Sequence, residues 1–159
     1  MVIATANTRD KGVNEMSAAL KRRFNIVVLP APADLDSEME IVRTRVTQLS
    51  ENLDLNAKQP ADDVVEKVCT IFRELRCGET LDRTQKVKGT SGVLSTAEAI
   101  SLLCNSMALA GSFGNGTVAN EDLAAALQGA VIKDADKDAV AWKEYLENVM
   151  KKRGSEWLG

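Results

Sequence analysis

From Asp34 onward the apolar residues fall into a period of 3.6, which commits most of this chain to packed helices. Leu35, Met39, Val42, Val46, Leu49 and Leu53 recur at spacings of four and three, a single stripe along one helix. Asp34 or Asp36 is placed to cap its start, and Asp36 and Glu38 set negative charge against the positive end of the helix dipole. The polar stretch 56–59 and then Pro60 end it. A second stripe, Val64, Val65, Val68, Phe72 and Leu75, stops near Gly78. Residues 79–93 have no period and predict a loop or a small hairpin. Ser95-Thr96-Ala97-Glu98 is a capping-box pattern ahead of Ile100, Leu103, Met107 and Ala110, and the glycines of 111–116 close that helix. Asn120, with Glu121 and Asp122, opens a fourth helix running to about Ile132. A fifth carries Trp142, Tyr145, Leu146, Val149 and Met150 into Lys151-Lys152-Arg153-Gly154. Aromatic residues make up only 4% of the chain, so the core is built from aliphatics and alanine, which suits helix-on-helix packing.

The first 30 residues follow another pattern. Val2-Ile3-Ala4-Thr5-Ala6 is apolar, partly β-branched, and ends at a polar residue, Asn7. A buried parallel strand delivers a side chain to the carboxyl edge of a sheet in this way, where α/β proteins bind ligands. A loop with Arg9, Asp10 and Gly12 leads to a short helical pattern (Met16, Ala19, Leu20) that ends in Lys21-Arg22-Arg23. A second apolar run, Ile26-Val27-Val28-Leu29, is stopped by Pro30. Strand, helix, strand is half of a βαβ-type core, so the chain is expected to begin inside a domain. Pro30-Ala31-Pro32 marks the change of pattern and divides a remnant, 1–33, from a helical domain, 34–159.

V-I-A-T-A-N, followed by A-L-K-R-R-F-N-I-V-V-L-P-A-P, resembles the closing part of the core of an AAA+ ATPase, nearest to the MoxR-like branch. G-T-S-G-V-L-S-T-A-E-A-I and the later T-V-A-N-E-D-L are similar to that family's helical lid. The resemblance implies a mainly α fold: a helical lid bundle preceded by a strand–helix–strand remnant of a P-loop α/β core. It implies that Asn7 is sensor 1, the residue that positions the attacking water, and that Arg23, with Arg22 beside it, is the arginine finger reaching a neighbouring subunit's nucleotide. ATP and Mg, a homo-oligomeric ring, and a client or von Willebrand-type partner protein follow for the complete protein, as does a chaperone-like role in remodelling or maturing other proteins.

Two departures limit the transfer. No G-x-x-x-x-G-K-[ST] occurs, since none of the 10 glycines is followed by Lys, and no apolar run ends in Asp-Glu to hold Mg²⁺. The lid's nucleotide-contacting Arg, sensor 2, is matched by Ala97, followed by Glu98. This chain is therefore expected to bind no cofactor and to hydrolyse no ATP by itself, acting on nucleotide held elsewhere.

A net charge of −3 and a pI near 5.1 argue against nucleic-acid binding, and no segment approaches a membrane span. Met1 leads directly into an apolar run without a signal-peptide pattern, and three cysteines with no histidine suit neither a disulfide framework nor a zinc site. Both features favour the cytoplasm. Lacking histidine, the chain has no Ser-His-Asp triad. The 111–116 glycines follow a helix and carry no basic residue, so they predict a turn. Asp134, Asp136 and Asp138 imitate an EF-hand start, but Ala139 and Tyr145 stand where that loop needs Gly and Glu. Plainer roles also compete for the two site motifs. Asn7 could cap the segment that follows it, and the Lys21–Arg23 cluster could neutralise a helix C-terminus, worth only about 0.3–1 kcal/mol. The rival function is a non-catalytic helical protein-interaction module that keeps the ATPase remnant as scaffold.

Overall fold

The computed structural model describes residues 2–5, 17–92, 94–154 and 157. Its contacts divide the chain into two units, Met1–Pro30 and Ala31–Gly159.

In the first unit, Ser17 caps a single helical turn, α1 (Ala18–Lys21), its hydroxyl accepting from the Leu20 amide at 3.3 Å. The strands expected at Val2–Ala6 and Ile26–Leu29 do not form among the described residues, which correct the fold to an all-helical one there. Position 6 lies outside the described set. A strand exists by virtue of its ladder to another strand, and the described parts of these runs meet none. Their composition suits a sheet that the described residues do not supply. Val2, Ile3 and Ile26 to Leu29 are left exposed.

The second unit realises the 3.6 period throughout: α2 (Leu35–Asn52), α3 (Asp62–Cys77), α4 (Thr96–Phe113), α5 (Asn120–Val131) and α6 (Lys137–Tyr145). Several boundaries have a local cause. The Asp34 carboxylate accepts from the Ser37 amide at 2.7 Å to cap α2. Gly78, at φ +76°, ends α3 in the left-handed conformation that disfavours a side chain. Ser95 and Glu98 form the reciprocal capping box that opens α4. Asp122 accepts from the Ala119 amide at 2.8 Å where α5 starts. Between α3 and α4, residues 79–92 hold one isolated antiparallel bridge, Glu79 to Lys86, a minimal hairpin.

Helix α4 packs against α2, α3 and α5. The core gathers Val42, Val46, Val68, Phe72, Leu103, Met107, Leu127 and Tyr145. The glycines of 111–116 are spacing devices. A Cβ on Gly111 would lie 2.6 Å from the Asn56 carbonyl oxygen, and the Lys58 amide donates to Gly116 O at 2.7 Å. They let the α2–α3 loop close against the end of α4.

After α6 the chain stays helical but changes pitch, through a π turn (Leu146–Met150) and a last α turn (Lys151–Arg153). At about 100° per residue, eight residues of α-helix would carry Arg153 roughly 80° away from Tyr145 around the axis. A π turn absorbs one extra residue, which reduces the offset to about 20° and sets both side chains on one face.

Candidate functional site

Arg22 and Arg23 follow α1 directly, their amides donating to the carbonyls of Ala18 (3.2 Å) and Leu20 (3.0 Å). Both side chains are exposed, while the neighbouring Phe24 is half-buried. Among the described residues neither guanidinium makes an ion pair, so both are presented to solvent. Asn7 lies outside the described residues.

The start of α4 is the second place that the sequence singled out. Ala97 is exposed on its first turn, and the Glu98 carboxylate beside it accepts from the Ser95 amide at 2.9 Å. Two arginines approach this turn from α3, but both are committed to a carboxylate. Glu38, on α2, is fully buried and receives Arg73 at 2.9 Å, Arg76 at 2.8 and 3.2 Å, and the Thr96 hydroxyl at 2.9 Å. Arg76 also donates to Leu94 O at 2.9 Å. Burial pushes the Glu38 carboxyl up, but the donors from Arg76, Arg73 and Thr96 outweigh it and hold it below the usual range. Neither arginine offers a free fork where Ala97 stands.

Two further buried acids organise the rest. Glu74 accepts from Tyr145 Oη (2.6 Å), from Arg153 (2.6 and 3.1 Å) and from the Leu81 amide (2.9 Å). The Arg153 guanidinium lies 4.5 Å from the Trp157 ring centroid. Asp138 collects the amides of Ser91, Lys133 and Asp134 and the Ser91 hydroxyl at 2.6–2.9 Å. Its oxygens tie the 91–92 loop to the start of α6, a positive role for the acid that imitates an EF-hand ligand. Sequence reasoning placed Glu38 in the first turn of α2 as a dipole partner and missed its burial; the signal available was Arg73 and Arg76, three apart on one face of α3.

An open groove of about 600 Å³ between α4 and α5 is lined by small and apolar residues, with Glu98 and Lys133 among them. Both charges are already engaged, Glu98 in the capping box and Lys133 on Gly129 O at 3.3 Å. Among the described residues no group of three or more His, Cys, Asp or Glu is placed to hold a metal ion, and no helix is long and apolar enough to cross a membrane. The three thiols are unpaired, and burial pushes that of Cys69 up to about 12.

The family profile of the YehL-like AAA+ ATPase C-terminal domain matches residues 36–157. The chain belongs to this family. The uncharacterized protein YehL of Escherichia coli strain K12 is 34% identical over 146 residues, which are 92% of this chain and 40% of that protein. The chain thus spans about two-fifths of the length of the curated relative it matches. No solved structure matches it. The span shared with the YehL-like domain includes all three buried acids, Glu38, Glu74 and Asp138, together with Ala97. Asn7, Arg22 and Arg23 precede it.

Proposed function

We propose that this YehL-like domain, with the segment before it, is the C-terminal portion of an AAA+ ATPase of the MoxR-like branch that couples ATP hydrolysis to the remodelling or maturation of other proteins. ATP and Mg²⁺ are held by groups outside this chain, and subunits assemble into a homo-oligomeric ring in the cytoplasm. Asn7 positions the attacking water. Arg23, with Arg22 beside it, reaches the γ-phosphate on the neighbouring subunit. An Arg suits that task because its planar fork spreads over several oxygens, and a finger supplied in trans is worth about 10³–10⁵ in rate in GTPases. A client or a von Willebrand-type protein is the macromolecular partner.

The observation that supports this reading is the pair of exposed guanidiniums, Arg22 and Arg23, next to an exposed apolar run, Ile26 to Leu29, that is fit for a sheet and meets no strand among the described residues. One observation favours the rival, a non-catalytic interaction module. The exposed Ala97 stands where the family resemblance puts a nucleotide-contacting Arg. The test is made in the longer polypeptide that carries a phosphate-binding core. There, Arg23→Ala and Asn7→Ala each abolish phosphate release while ATP affinity stays within about twofold of the parent, as expected when a group acts on the transition state alone. A parent polypeptide that releases no phosphate favours the interaction module, and hydrolysis that survives both substitutions removes Asn7 and Arg23 from the catalytic machinery.

A further inference from the structure

Where the linker enters the helical domain, one side chain takes up the backbone of three successive residues. Arg73, on α3, donates through Nη1 to the carbonyls of Pro32 and Asp34, both at 3.2 Å, and through Nη2 to that of Ala33 at 3.0 Å. The same Nη1 reaches Glu38 at 2.9 Å. The carbonyls of Pro32 and Ala33 precede α2 and have no partner within it, so a flexible connection would leave them to water, whereas that of the N-cap Asp34 also accepts from the Glu38 amide at 3.3 Å. Here a guanidinium 15% exposed takes all three, although its own Nε is left without a partner. Such a choice sacrifices a donor to hold a stretch of backbone. From the other side, the Asp34 carboxylate binds the Ser37 amide.

We infer that Arg73 is a clamp on the linker, which makes residues 32–34 a rigid part of the helical domain and moves the bending point of the chain upstream, to Pro30–Ala31. Residues 30–33, Pro-Ala-Pro-Ala, are by composition a semi-rigid spacer, which by itself does not fix where the chain bends ahead of the cap of α2. The clamp is built on a shared acid. Glu38 also holds Arg76 and Thr96, the first residue of α4, so the linker and the first turn of α4 are braced through one carboxylate. A displacement of that turn reaches the linker within two side chains. The fork geometry is essential, because an ammonium in place of the guanidinium could still pair with Glu38 but could not span three successive carbonyls.

Backbone ¹⁵N relaxation on this chain tests the inference independently of any ATPase activity. In the parent, order parameters at Ala33 and Asp34 match those within α2, about 0.85, and fall below about 0.6 by Val28 and Leu29. In Arg73→Lys, Ala33 drops to the level of Leu29, while Asp34, still held by the cap of α2, and the amides within α3 and α4 keep theirs. A parent profile in which 33–34 are already as mobile as 28–29 overturns the clamp, and needs no variant to do so. A folded Arg73→Lys protein whose Ala33 amide stays rigid overturns it equally.

Discussion

Glu74 receives a phenol, a guanidinium fork and an amide while being wholly removed from water. An ionised carboxylate in such a place is tolerable only while its partners remain. Arg153→Ala removes the sole positive charge on it among the described residues, and is expected to cost about 3–5 kcal/mol. Tyr145→Phe removes one bond to a charged group and should cost about 1.5–3 kcal/mol. Urea unfolding followed by circular dichroism separates the two, with lowered midpoints at an unchanged slope. The acids also set a pH dependence. Burial pushes the Asp138 carboxyl up, but the Ser91 and Asp134 amides, the Ser91 hydroxyl and the Lys133 amide outweigh it and bring it to about 2. Glu38 is lowered as well. A depressed folded value means stability that is fully present above the unfolded carboxylate range and is lost as pH falls through the folded one. The unfolding free energy is therefore expected to be flat from neutral pH to about 5 and to fall steadily between about 4 and 2, measured by urea titration at each pH.

Among the elements, the helices were legible because each carries a stripe and a local start or stop. Ser95 and Glu98 declared the head of α4, and Gly78 the end of α3. The glycine loop was legible as a turn, though not the reason for it. Gly111 is required by the Asn56 carbonyl, which belongs to a loop more than 50 positions earlier. Gly111→Ala, which would otherwise favour a helix, is expected instead to destabilise by about 1–3 kcal/mol through overpacking. At about 2–4 °C per kcal/mol for a domain of this size, differential scanning calorimetry should show a clear fall in Tm. Two things were not legible. The strands at Val2–Ala6 and Ile26–Leu29 were read from composition, which records the sheet a segment is suited to and not whether one is present. The π turn at 146–150 changes the phase of a helix by a single residue, which no stripe of that length resolves.

At the scale of the molecule, the helical domain and the segment before it differ in how much of their meaning lies within this chain. In the YehL-like domain the buried acids Glu38, Glu74 and Asp138 have internal partners, and its AAA+ character was foreshadowed by the lid-like motifs at 89–100 and 117–123. The segment 17–30 presents Arg22, Arg23 and an apolar run outward. That contrast underlies the proposal that the chain acts on nucleotide held by another subunit, and subunit mixing in a longer polypeptide that carries a phosphate-binding core is its test. Subunits carrying Arg23→Ala, inactive alone, are combined over a range of ratios with subunits disabled in their own phosphate-binding loop, and phosphate release is followed. Activity is expected to reappear in the mixtures, because an intact finger then faces an intact nucleotide site across some of the interfaces. Mixtures that stay inactive at every ratio would contradict it and return Arg23 to the role of a helix terminus.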